Sequence, residues 1–262
     1  MTFSTPLDLK KSRILVTNDD GIHAPGLRAA ETIARALSDD VWVCAPEIEQ
    51  SAASHSLTIS DPLRIRQLSE RRYAVDGSPT DCVLLGIEQI LRDRKPDLVI
   101  SGVNRGGNTG EDVTYSGTVA GAMEATLLGR RGIALSQEFA DGHPVKWATA
   151  EHFAPGIVRK LVSIPWPTDV LMNVNFPDMV VESVKGVRAV RQGRRKLGYR
   201  LDERMDPRGR PYIWIGSSRQ NPFFEGDNDI VVVNDGYVTV TPLFLDLTHE
   251  ATLAGVAELF KQ

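Results

Sequence analysis

The chain has 262 residues, 42% of them hydrophobic and 24% charged, enough to bury the core of one large α/β domain. A formal net charge of −4 excludes a general attraction to nucleic acid or an anionic membrane, so any phosphate recognition must be built locally. The only two cysteines, Cys44 and Cys82, suggest neither a disulfide framework nor a zinc knuckle, and both are expected as buried small hydrophobes.

The first eleven residues have no apolar core of signal-peptide length, and no later run approaches the ~20 apolar residues needed to cross a bilayer. The expectation is a cytoplasmic protein with no membrane partner and no stable nucleic-acid partner. Residues 14–17 read as a first strand, 26–37 as a helix, 41–44 as a second strand and 79–92 as a helix opening on Pro79. A third strand follows at 96–101, a helix at 117–128, a strand at 132–136, a helix near 145–162 and a strand at 170–175. Short apolar runs alternating with amphipathic stretches predict βαβ units and a parallel sheet.

From about residue 183 the pattern changes. Pieces at 186–191, 211–216, 230–233 and 237–241, separated by Gly, Pro and Asp, read as a β-rich extension, and Thr248 reads as the N-cap of a last helix ending near Phe260. The predicted organisation is a single unit: a core over about 12–182, a β-rich arm over about 183–246, and a C-terminal helix over about 248–261. The basic run from Arg191 to Lys196 reads as a solvated turn between strands.

The sequence ILVTNDDG, from Ile14 to Gly21, places Asp19 and Asp20 just past an apolar strand and before a helix, where open α/β sheets bind ligands. Asn, Asp and Gly are also ordinary turn residues. Two adjacent carboxylates in a crevice repel, however, and no Lys or Arg lies close in sequence, so a hard cation between them is the economical answer. Oxygen ligands select magnesium, manganese or calcium, and the five histidines show no HExxH spacing. Loops after the second and third strands add Ser51 and Asn104 as neutral oxygen donors. The third loop runs through YSGT into a helix, so Ser116 and the Gly117 and Thr118 amides can face an anion at the helix N-terminus. Ser116 serves equally as a plain helix cap. There is no GxxxxGK[ST] loop and no GxGxxG pattern.

Five segments resemble, in order, the SurE family of stationary-phase survival nucleotidases: TNDDGIHAPGL from Thr17, AP followed by SAASHSLT ending at Thr58, GSPTDC from Gly77, SGVNRGGNTGEDVTYSGTVAGAMEA from Ser101, and GYVTVTPL from Gly236. The resemblance implies a Rossmann-like three-layer core, metal ligands at Asp19, Asp20, Ser51 and Asn104, and hydrolysis of nucleoside 5′- and 3′-monophosphates, in some members also of short polyphosphate. It further implies a C-terminal arm used in homodimer or homotetramer contacts. Gln50, His55 and Ala125 depart from the usual family pattern, and the first two border the site.

The mechanism expected from these residues is one divalent cation per subunit, Mn²⁺ or Mg²⁺, that polarises a phosphoryl oxygen and activates a water. Ser116, Thr118 and neighbouring amides, with Asn108, would hold the non-bridging oxygens. Two alternatives stand beside it. One is a haloacid dehalogenase-like phosphatase with Asp19 as nucleophile, although such enzymes use an Asp-x-Asp spacing. The other is a non-catalytic nucleotide or metal sensor. Tyr199, Tyr212, Trp214, Phe223 and Phe224 in the arm predict a surface that a second subunit covers.

Overall fold

The first strand of the core is apolar from Ile14 to Val16, and its successive side chains feed two cores. Ile14 and Val16 pack on one face of the sheet and Leu15 on the other. Such two-sided burial is the mark of a central parallel strand. The structure, a computed structural model, describes residues 1–4, 6–194, 198–218 and 226–261.

In chain order the strands are β1 (Thr2–Phe3), β2 (Arg13–Thr17), β3 (Asp40–Pro46), β4 (Ile65–Ser69), β5 (Arg72–Val75), β6 (Leu98–Arg105), β7 (Arg131–Gln137), β8 (Trp166–Pro167), β9 (Val170–Phe176), β10 (Val187–Ala189), β11 (Gly198–Met205), β12 (Pro211–Ser218) and β13 (Val238–Phe244). The helices are α1 (Pro25–Arg35), α2 (Pro79–Leu85), α3 (Gly117–Leu127), α4 (Trp147–Leu161), α5 (Asp229–Asn234) and α6 (Glu250–Leu259). Nine strands form one sheet in the order β10-β13-β9-β7-β6-β2-β3-β5-β4. From β5 to β9 the pairings are all parallel. β4 closes one side antiparallel to β5, and β13 runs antiparallel to β9.

Taken by themselves, the six parallel strands have the order 3-2-1-4-5-6, the doubly wound arrangement whose ligand crevice opens where the order reverses. That point lies between the carboxyl ends of β2 and β6. Helices α1 and α4 pack together over one face, α2 and α3 over the other, which makes the three-layer α/β fold expected. Cys44 and Cys82 are free and buried. Helix α2 starts as its sequence requires: Pro79 occupies the first turn while Ser78 and Asp81 exchange the reciprocal bonds of a capping box.

Several expectations need correction. Residues 230–233 form part of α5, not a strand, because the Asn228 side chain accepts from the amides of Ile230 and Val231 and starts a helical turn. Thr248 does not cap α6, whose N-cap position is His249. The third strand runs on to Arg105 through a register shift between Ser101 and Asn104, so Asn104 sits on the sheet instead of in a loop. The hairpin β4–β5 and the small β1–β8 pair were not anticipated.

The segment expected as an arm divides. β10 and β13 join the main sheet, whereas β11 and β12 form a separate antiparallel hairpin. Phe223, Phe224, Arg195 and Lys196 lie outside the described residues, as does the side chain of Tyr199. Among the described residues no helix is long and apolar enough to cross a membrane.

Candidate active site at the sheet switch point

Asp19 and Asp20 leave the end of β2 directly into this crevice, which is a cavity of ≈ 720 Å³ that both residues line. The volume lies in the range of small-ligand sites. Ser51, Asn104, Asn108 and Ser116 line the same cavity, so the structure brings together six of the eight side chains or positions singled out in the sequence.

Asp19 is almost wholly buried, at 5% exposure. Burial raises its proton affinity, and hydrogen bonds from the Thr118 hydroxyl and the Thr118 amide partly offset that rise. Thr118 and Gly117 therefore differ from expectation, since the carboxylate met by the first turn of α3 is Asp19 itself. A Cβ on Gly117 would stand 2.8 Å from Asp19 Cβ, so only glycine lets the helix N-terminus approach so closely. The positive end of the α3 dipole is thus directed at Asp19.

Asp20 is half-buried and accepts from the Arg105 amide at 3.3 Å. Its pKa is pushed up to about 6, first by burial and then by the charge of Asp19. Glu49, in the loop after β3, raises both groups further and lines the cavity as a third acid. Ser51 Oγ donates to Glu49 Oε1 at 2.7 Å. Asn104 Nδ2 donates to the Gly106 carbonyl at 2.9 Å, which leaves its Oδ1 as the oxygen available to a ligand.

The loops that deliver these groups are tied to one another. The Gln50 amide donates to the Asp19 carbonyl at 2.8 Å, and Ser54 binds the backbone of Thr114 and Tyr115 just ahead of Ser116. Ala52 and Ser54 hold left-handed backbone conformations, φ 59° and 55°, that non-glycine residues rarely adopt, and such strain concentrates at functional loops. His55 Nε2 lies 2.9 Å from Glu124 Oε2 on α3.

Asn108 is held on three sides. Its amide donates to Asn175 Oδ1, its carbonyl accepts from Asn173 and Asn175, and its Nδ2 donates to Ser136 Oγ at 2.8 Å. Ser116 Oγ accepts from the Val119 amide at 3.1 Å, so the capping role is filled, and the hydroxyl proton is not used in that bond. Asp229, which the sequence reading passed over, is fully buried and accepts from the amides of Gly110 and Gly193. It fastens the start of the Asn108–Ser116 loop to the root of the hairpin.

The donor set fits a hard divalent cation. Among the described residues neither Asp19 nor Asp20 makes an ion pair with Lys or Arg; burial and then the charge of Glu49 raise Asp19, and burial and then the charges of Asp19 and Glu49 raise Asp20. No three His, Cys, Asp or Glu side chains gather as a metal cluster among those residues, so a cation here would rely on the neutral oxygens of Ser51 and Asn104.

Fold and crevice together define a doubly wound α/β protein with an acidic, oxygen-lined site at the switch point. The family model described as Survival protein SurE matches residues 14–199, and the chain belongs to the SurE family. A protein of Paramagnetospirillum magneticum named 5′-nucleotidase SurE is 56% identical over 260 residues, spanning 99% of this chain and 100% of that one. One from Rhodospirillum rubrum with the same name is 51% identical over 261 residues, 98% and 100% of the two chains. The crystal structure of the SurE protein from Aquifex aeolicus superposes with a TM-score of 0.81 at 39% identity, covering 95% of this chain and 100% of that one.

Proposed function

We propose that the chain is a metal-dependent 5′-nucleotidase that hydrolyses nucleoside monophosphates to nucleoside and phosphate. The observation that carries this reading is the adjacent carboxylates Asp19, buried, and Asp20, half-buried, neither ion-paired to Lys or Arg among the described residues, at the switch point of a doubly wound sheet. The names of relatives more than half identical over their whole length support it.

Asp19, Asp20, Ser51 and Asn104 would hold one divalent ion, manganese or magnesium. When bound, it supplies a Lewis acid at the phosphoryl group. Thr118 fixes the Asp19 carboxyl, the Arg105 amide orients Asp20, and the bond to Gly106 turns Asn104 Oδ1 outward. Ser116, through its uncommitted hydroxyl proton, and Asn108 donate to the non-bridging phosphoryl oxygens.

Phosphate release from a panel of nucleoside 5′- and 3′-monophosphates and short polyphosphate, with and without manganese, tests the reading. Metal-dependent turnover of at least one 5′-monophosphate is expected. Nucleotide binding without turnover would identify a sensor and end the proposal.

The hairpin β11–β12 and α6 form the proposed subunit contact. On the hairpin Leu201, Met205, Ile213, Trp214 and Ile215 are all exposed, Ile215 to 74%, and α6 has no buried residue. An isolated two-stranded hairpin is marginal in water, and an apolar one asks for a cover. Light scattering should find at least two chains per particle, reduced to one by Trp214→Asp with Ile215→Asp. A wild-type protein already monomeric at micromolar concentration would rule the contact out.

A further inference from the structure

Phosphate chemistry accounts for only part of the cavity. Phe139, Val145 and Trp147 also line it, with Ala24 and Pro25 from the start of α1. Both aromatic residues are half-buried. Phe139 lies just past β7 and Trp147 is the first residue of α4, so the connection between the fifth and sixth strands of the parallel set supplies the apolar lining.

Trp147 is seated against Gly26, where a Cβ would come within 3.1 Å of its ring. That glycine cannot be enlarged in any case, because the same Cβ would overlap the Val103 carbonyl oxygen at 1.9 Å. Arg105 joins the two parts of the cavity. Its amide donates to Asp20, while its guanidinium lies over the Phe139 ring, 4.8 Å from the centroid. Aromatic faces thus stand one arginine side chain away from the acidic pair.

Release of phosphate requires no aromatic ring beside the acids. A nucleobase does, because each base presents a π-face that stacks on aromatic side chains and on guanidinium planes. We propose that Phe139 and Trp147, with Arg105 over the Phe139 ring, form the nucleobase subsite that separates nucleoside monophosphates from phosphate esters lacking a base. Since stacking reads a π-face common to all bases, this subsite selects for a base more strongly than it selects among bases. The inference rests on the nucleotidase reading of the same cavity.

The test compares kcat/KM for AMP and for ribose 5-phosphate, which carries no base, with manganese present, and measures adenosine as a competitive inhibitor. Wild-type enzyme should prefer AMP. Phe139→Ala and Trp147→Leu should each lower that preference about tenfold, chiefly through KM for AMP, and weaken adenosine inhibition by a similar factor. Trp147→Phe, which keeps a π-face, should restore most of the preference. An unaltered preference and adenosine inhibition in both variants, with wild type active on AMP, would overturn the base subsite alone. Wild-type enzyme inactive on both esters would overturn the nucleotidase reading and this inference with it.

Discussion

Replacing Asp19 with asparagine should lower kcat/KM about a thousandfold or more while leaving the fold intact. Asp19 is nearly inaccessible to water and feels the charge of Glu49, so burial and like charge both oppose its ionisation. Thr118 offsets part of that with its hydroxyl and amide, and an asparagine oxygen can still accept the hydroxyl bond. The neutral isostere removes the repulsion, so the metal-free variant should melt within a few degrees of wild type or above it. Asp20 should then titrate closer to the usual carboxylate range, because the Asp19 charge is, after burial, the largest cause that raises it. Steady-state kinetics with thermal melts check both halves. Turnover within tenfold of wild type would remove Asp19 from the site chemistry.

The parts of this site that were legible in the sequence share a property: each lies on a connection leaving a strand whose apolar run is unmistakable. Asp19 and Asp20 follow β2, Ser51 lies in the loop after β3, and Ser116 opens α3, so the βαβ rhythm places them at one edge of the sheet. Phe139 and Trp147 lie on the connection after β7, and an aromatic residue there looks the same in sequence whether it packs on the core or lines a cavity. Glu49 was visible as an acid two residues before Ser51, but nothing local shows that its charge reaches Asp19. Asp229 was hidden for a different reason. The run from Ile230 to Val233 is rich in β-branched residues and reads as a strand, whereas Asn228 caps the amides of Ile230 and Val231 and converts it to a short helix whose first residue faces inward. The same competition misplaced Asn104, because the register shift after Ser101 lets β6 continue where glycine and asparagine suggest a loop.

Removing divalent metal should abolish phosphate release, and the stabilisation gained on adding manganese back should grow with pH. In metal-free protein the folded pKa of Asp20 is about 6 against 3.8 for an ordinary aspartate, and that of Asp19 is also raised. Between about pH 4 and pH 6 the folded state therefore holds more protons than the unfolded chain, so stability falls as pH rises and the full penalty stands above pH 6. For Asp20, half-buried and partly screened by solvent, that penalty is on the order of 1–2 kcal/mol. A cation binds the ionised pair and must displace protons at low pH. At a hundredfold excess over its dissociation constant it adds about 2.7 kcal/mol, or roughly 5–10 °C in Tm for a chain of this size. Melts with chelator and with manganese should separate by that amount at pH 7.5 and by clearly less at pH 5, and the Asp19→Asn variant should show little separation at either. A metal-induced shift equal at both pH values would detach the cation from these carboxylates, and full activity in chelator would remove it from the reaction.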